Sequence, residues 1–117
     1  MAEDSIADLV RRIRRAALDA RTLSVTLESS LATLHEIPSM SGDERMDARR
    51  RWIGEVRADL DRVERLSRKH HRLVEDIAAR CGPLPVEAKA RLDAELADAD
   101  ARIHAARAHL QRAANHG

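Results

Sequence analysis

The sequence predicts an all-α protein, an up-down-up antiparallel three-helix bundle with coiled-coil-like heptad packing that is expected to self-associate. Three long segments repeat their apolar residues at steps of three and four, which places those residues on one face of an α-helix. Two short breaks containing proline and glycine separate the segments. Apolar residues make up 44% of the chain and charged residues 35%, with one Trp and no Phe or Tyr. A core without Phe or Tyr must come from Leu, Ile, Val and Ala, the residues of long packed helices.

The first helix is predicted over residues 4–37. Ser5 can cap its first turn, with Asp8 as the acid three positions later. Pro38 cannot continue the helix, which therefore ends before it. The heptad stripe extends over more than four repeats and consists of Ile6, Leu9, Ile13, Ala16, Ala20, Leu23, Leu27, Ser30, Leu34 and Ile37.

The second helix is predicted over residues 43–81, with Ser41 or Asp43 as its cap. Such a helix would be roughly 58 Å long at about 1.5 Å per residue. A rod of this length cannot bury its apolar face alone, so the segments before and after it must cover that face. The predicted stripe consists of Met46, Ile53, Val56, Leu60, Val63, Leu66, His70, Val74, Ile77 and Cys81.

The third helix is predicted over residues 85–114, after a break that contains Gly82, Pro83 and Pro85. Both connections are short, so consecutive helices are expected to fold back on each other in a single domain spanning 1–117. Large residues alternate with alanine in the third stripe, which favours close packing. This stripe consists of Leu92, Leu96, Ala99, Ile103, Ala106, Leu110 and Ala113.

A second apolar line is predicted on the first helix, opposite its core stripe. Leu18, Val25 and Ala32 fall seven residues apart on the side where water is expected, in a region poor in charge. Such a patch is either a contact surface or a set of scattered surface apolar residues, and the sequence favours neither. The first alternative predicts a symmetric dimer that pairs the same patch on both copies.

Basic residues concentrate at one level of the predicted bundle. Acidic residues of the third helix are expected at the same level, so the main hypothesis is an internal match of charges. The alternative is an anionic partner held by the outward-facing bases. The bases are Arg11, Arg12, Arg14, Arg15, Arg65, Arg68, Lys69 and Arg72. The acids are Asp93, Glu95, Asp98 and Asp100.

The histidines do not predict a metal site, because no three of them converge at chelating intervals on a helix. His70 lies in the second stripe and is either a buried structural residue or a pH-sensitive core position. A glycine-rich phosphate loop, a nucleophile elbow and a His-Glu-x-x-His motif are all missing. We therefore expect no enzymatic activity and no cofactor.

The triplet Trp52-Ile53-Gly54 resembles the WxG signature of the small helical-hairpin proteins exported by type VII secretion. The length and the helical character of this chain are also similar to those of that family. In that family the triplet forms the turn between two helices, whereas both flanks here predict continuous helix. The family's Tyr-based export motif has no counterpart in a chain without Tyr. Membership of the family is therefore not inferred.

These patterns predict a helical interaction, adaptor or assembly protein whose partner is itself, as a dimer, or another helical protein. An anion- or nucleic-acid-binding module is the alternative, although a net charge of +1 disfavours nucleic acid. No membrane partner is expected, since no stretch of about 18 apolar residues occurs. The single cysteine, Cys81, and the acidic start at Glu3 and Asp4 favour the cytoplasm.

Overall fold

The computed structural model describes residues 2–115 and, for side chains, residues 5–115. It confirms the predicted bundle: α1 spans Ala2–His35, α2 spans Gly42–Cys81 and α3 spans Val86–Asn115, and each helix packs against the other two. The molecule is a rod of 61 × 19 × 18 Å. Residues 1, 116 and 117, which the predicted domain includes, lie outside the described residues.

The first break ends α1 two residues earlier than the sequence predicts. The residue before a proline avoids the α-helical region, which excludes Ile37 from the helix. The chain instead tightens, and the Glu36 amide donates to the Thr33 carbonyl at 3.0 Å. At the other end, α1 begins before Ser5, so the prediction that Ser5 caps this helix is wrong.

Ser41 is the N-cap of α2, which decides between the two predicted caps. Its hydroxyl accepts from the Glu44 amide at 3.2 Å, and the Glu44 carboxylate accepts from the Ser41 amide at 3.3 Å. This reciprocal pair is a capping box, which satisfies two backbone donors at the helix start. Gly82 follows α2 with a φ of 80°, a backbone conformation that residues with a Cβ rarely adopt.

Side-chain contacts between α2 and α3 show the relative direction of these two helices. Arg107 on α3 bonds to Asp61 and Glu64 on α2, whereas Asp100, earlier in α3, bonds to Ser67 and His71, later in α2. These two helices are therefore antiparallel. Two clusters of buried residues form the core. One lies towards the α1–α2 turn and contains residues of all three helices. The other surrounds Leu9, Leu92 and Leu96.

Three residues of the predicted α2 stripe are exposed, Val74 and Ile77 are only half-buried, and Ser67 is buried instead. Met46 and Cys81 are exposed, and Leu66 is 38% exposed, while its neighbour Ser67 is 4% exposed. The buried residues from Ile53 to Val63 alternate steps of three and four, and the next step of four leads to Ser67, whereas Leu66 would need two successive steps of three. The buried residues of this helix are Ile53, Val56, Leu60, Val63, Ser67 and His70.

Two arginines near the start of α2 contact the ends of the other helices. The Arg45 side chain donates to the carbonyl of Ile37, just beyond α1, and Arg49 Nη2 donates to the Ala113 carbonyl in α3 at 2.6 Å. The last carbonyls of a helix lack partners and carry partial negative charge, which a guanidinium satisfies. Arg49 thus has a structural contact, while Trp52 lies half-buried within continuous α2 helix.

Candidate functional site

The outer face of α1 presents a line of residues without charge. Leu18 is 53% exposed and Val25 is 55% exposed, and Ala32 is also exposed. Thr22 and Ser29 lie between them, so that steps of four, three, four and three connect all five residues. We call this line the outer seam of α1: Leu18, Thr22, Val25, Ser29 and Ala32.

The outer seam lies opposite the buried stripe of the same helix. Ile13, Ala16, Ala20 and Leu27 are turned into the core, each at most 1% exposed. Two stripes with the same period on opposite sides make α1 apolar in two directions. Only one of these directions is covered by α2 and α3, so the outer seam is left open to solvent.

Grooves beside the outer seam extend its surface towards both neighbouring helices. Thr22 lines a groove of about 300 Å³ between α1 and α2, together with Leu23, Val63 and Leu66. The sequence predicts Leu66 in the core, but it is partly exposed and lines this groove. Leu18 lines a second groove, between α1 and α3. The apolar surface therefore extends towards α2, whereas the groove between α1 and α3 is lined mainly by charged residues.

Asp100 on α3 holds two residues of α2 at once. It accepts from the Ser67 hydroxyl at 2.7 Å and lies 2.8 Å from His71 Nε2. These are the residue types of a serine-hydrolase triad, but the carboxylate is in the middle and the serine does not contact the histidine. The hydroxyl is also buried. The arrangement therefore joins two helices and lacks the serine–histidine contact that activates a nucleophile.

Arg107 forms a second junction between α3 and α2. It donates to Asp61 at 2.7 Å and to Glu64 at 3.0 Å, and hydrogen bonds to these two carboxylates raise the pKa of the guanidinium further. A guanidinium shared by two carboxylates is better fixed than a simple surface pair. This contact is not predictable from the sequence pattern because Arg107 is far from Asp61 and Glu64 along the chain.

His70 is a buried histidine, only 3% exposed, and its ring has no hydrogen-bond partner in the described part of the chain. Burial lowers the pKa of the imidazole below its ordinary value, and the nearby charges of Arg12 on α1 and Lys69 and His71 on α2 lower it further. The charged form is thus disfavoured in the folded protein. The pH sensitivity of this position stays a prediction.

Acidification is expected to destabilise the bundle through His70. Because the folded pKa is below the usual value of about 6.5, the stabilisation from the neutral ring is present above that value. It is lost as the pH falls through the folded pKa. The measurement is the difference in free energy of unfolding between wild type and His70→Gln at several pH values. A difference that stays constant from neutral to acidic pH would contradict this prediction.

The predicted basic residues divide into two groups. On α1, Arg11 and Arg12 lie near Asp8, and Arg15 lies near Asp19, all within the same helix. Arg14 reaches across to Glu95 on α3 at 2.8 Å. The bases on α2 are exposed and have no ion-pair partner within residues 5–115. They are Arg65, Arg68, Lys69 and Arg72.

The predicted internal match of charges is only partly correct. Glu95 and Asp100 do contact the neighbouring helices at the expected level. Asp93 pairs instead with Lys89, and Asp98 pairs with Arg102, both within α3 at a spacing of four residues. A base four residues away on the same helix is always within reach of an acidic side chain, so it competes with bases on another helix for the ion pair.

No group of three or more His, Cys, Asp or Glu side chains in the described residues is arranged to hold a metal ion. Among the same residues, no helix is both long and apolar enough to cross a membrane. Comparison with protein-family models, curated proteins and solved structures finds no match to this chain. Its function is therefore argued from its own surfaces.

Proposed function

We propose that this chain is a non-enzymatic helical interaction and assembly protein, an adaptor-type module that dimerises through the outer seam of α1. One observation carries the proposal. Leu18 and Val25 are both more than half exposed in a line without charge, on a molecule in which 35% of residues are charged. Exposed apolar lines with regular helical spacing are the usual recognition surfaces of helical proteins.

The expected contact is modest in strength. Full burial of a Leu or Val side chain contributes about 1.5–3 kcal/mol, and both side chains here are already partly covered. A standard interface buries about 800 Å² per partner, which requires the flanking grooves as well as the seam. Leu66 in the α1–α2 groove supplies further apolar surface. We therefore expect a dimer with a dissociation constant on the order of micromolar.

Light scattering after size exclusion tests this proposal. The wild type is expected to be dimeric at high concentration, and Leu18→Glu/Val25→Glu is expected to be monomeric, because the change places charges in the contact without a partner. The matched control is Met46→Glu/Val86→Glu, which alters two other exposed apolar residues outside the seam. This control should remain dimeric, and all variants should keep the helical circular dichroism spectrum.

Two outcomes would contradict the proposed dimer. A wild type that remains monomeric at high concentration would exclude a second copy as the partner and leave a different helical protein for the outer seam. A seam variant that keeps the dimer would mean that the copies associate elsewhere. Loss of the dimer in the control as well would show that the effect is not specific to the seam.

The alternative function is the binding of an anionic partner, most plausibly nucleic acid, through α2. The specific support is the set of four exposed bases without ion pairs, Arg65, Arg68, Lys69 and Arg72. They occupy two helical turns, which suffices for a few phosphates and is short for a nucleic-acid track. The same scattering experiment with added duplex DNA separates the functions, since tight and salt-sensitive binding would favour this alternative.

The cytoplasm remains the location we propose. The support is compositional and consists of the single cysteine of the chain. Cys81 is a free and exposed thiol in the structure. A reducing compartment preserves such a thiol, whereas an oxidising one favours intermolecular disulfides.

A further inference from the structure

Two opposite charges flank the outer seam without partners. Arg21 and Glu28 are exposed and line grooves between α1 and α3 that also contain charged residues of α3. Neither forms an ion pair in the part of the chain that the structure describes. They are seven residues apart, so about 10.5 Å of helix separates them. This separation is too large for a contact within α1. A partner whose charges have the reverse order would satisfy both.

A second copy of α1 in the antiparallel direction has that reverse order. If a two-fold axis passes near Val25, Arg21 of one copy lies beside Glu28 of the other, and the symmetry repeats the pair. In antiparallel helix pairs the same edges of the two helices face each other, so residues on the α3 side of both copies meet. The two isolated charges thereby become two identical ion pairs.

The residues of the outer seam are complementary to themselves under the same symmetry. Leu18 lies opposite Ala32, so a large side chain meets a small one at both ends of the contact. Thr22 lies within one residue of the level of Ser29, which lets the two hydroxyls bond to each other. Val25 lies opposite its own copy at the centre. Alternation of large and small residues is what allows two helices to interdigitate.

A parallel pair lacks these matches. It would place Ala32 against Ala32, which leaves a gap at one end of the seam, and Leu18 against Leu18, which widens the other end. It would also bring the cluster of Arg11, Arg14 and Arg15 next to the same cluster on the second copy. Like charges at close range oppose association, and the antiparallel arrangement separates the two clusters.

We propose that two copies of this chain pair α1 against α1 in the antiparallel direction, about a two-fold axis near Val25, with reciprocal Arg21–Glu28 ion pairs. The proposal rests on the self-association proposed above and adds its direction and register. It assigns Arg21 and Glu28 to specificity and the outer seam to affinity. The partner that fits the outer seam is thus a second copy of α1 in the reverse direction.

Disulfide cross-linking in a Cys81→Ser background tests the register. Val25→Cys should cross-link to itself on oxidation, because the two-fold axis brings the copies together there. Leu18→Cys alone should not cross-link, since the two thiols would be about 21 Å apart along the helices. Leu18→Cys mixed with Ala32→Cys should give a mixed disulfide. Efficient cross-linking of Leu18→Cys with itself would overturn the antiparallel arrangement.

Charge reversal tests the ion pairs separately. Arg21→Glu is expected to raise the dissociation constant of the dimer about three- to tenfold, since two exposed pairs are lost and replaced by repulsion. Arg21→Glu/Glu28→Arg should restore it, because the reciprocal pairs form again with reversed sign. A double variant as weak as the single one would refute the assignment of these two residues.

The outcomes distinguish the two proposals. A monomeric wild type in light scattering removes the self-association itself. A dimeric wild type in which Val25→Cys does not cross-link, or Leu18→Cys does, leaves self-association in place and removes the antiparallel register.

Discussion

Replacement of Leu60 by alanine is expected to lower the free energy of unfolding by about 2–4 kcal/mol. Leu60 has no exposed surface, and it lies in the core cluster to which all three helices contribute. Truncation removes its buried apolar area and leaves a cavity that rigid helices cannot fill by collapse. Val63→Ala, one turn away, should cost less because valine loses fewer atoms. Urea denaturation monitored by circular dichroism measures both losses.

Leu66→Ala is the matched control for this prediction. It makes the same chemical change in the same helix, only six residues later, but Leu66 is 38% exposed. A partly solvated side chain loses less on truncation, and we expect a cost below about 1 kcal/mol. Equal losses at Leu60 and Leu66 would contradict the structure of α2, in which Leu60 is on the buried face of the helix and Leu66 is partly exposed.

Asp100→Ala is expected to destabilise the bundle by about 1–3 kcal/mol, the usual cost of leaving a buried polar group without a partner. The change removes the acceptor of the Ser67 hydroxyl, which is only 4% exposed, and the contact with His71. Asp98→Ala is the control, since Asp98 pairs within residues 5–115 only with Arg102 in its own helix, and it should cost about 0–1 kcal/mol. Both losses are measured by urea denaturation.

A double-mutant cycle identifies the cause of the Asp100 effect. If the buried hydroxyl is responsible, Ser67→Ala should suppress much of the loss caused by Asp100→Ala, because no donor then remains without a partner. Purely additive losses would mean that the two residues act independently. A cost at Asp98 as large as at Asp100 would instead indicate a general effect of the acidic charge of α3.

The sequence was sufficient to predict the number, order and direction of the helices, because these depend on the local period and on breaks such as Pro38 and Gly82. The exact core of α2 was harder. Hydrophobicity favoured Leu66, whereas the strict helical repeat leads to Ser67, and the structure follows the repeat. A serine can be buried there because Asp100 accepts its hydrogen bond. The residues near Ser67 in the sequence do not indicate that partner.

The candidate surface was predicted in part. Leu18, Val25 and Ala32 could be identified from a period of seven on the side opposite the core. The roles proposed for Arg21 and Glu28 depend on which charges of the described residues lack partners, and this requires the side-chain contacts of the folded bundle. The charge pattern misled for the same reason. Asp93 and Asp98 match bases on α1 and α2 by level, but each is paired with a neighbour one turn away on α3.

The odd number of helices has a mechanical consequence. A chain that runs up, down and up again has Ala2 and Asn115 at opposite ends of the rod, whereas a bundle with an even number of helices brings its first and last residues together. A pulling force applied between Ala2 and Asn115 therefore acts along the helix axes and makes α1 slide past α3. Sliding loads the buried layers simultaneously instead of opening them one after another. We therefore expect the rod to withstand a higher force along its length than when it is peeled open at one end.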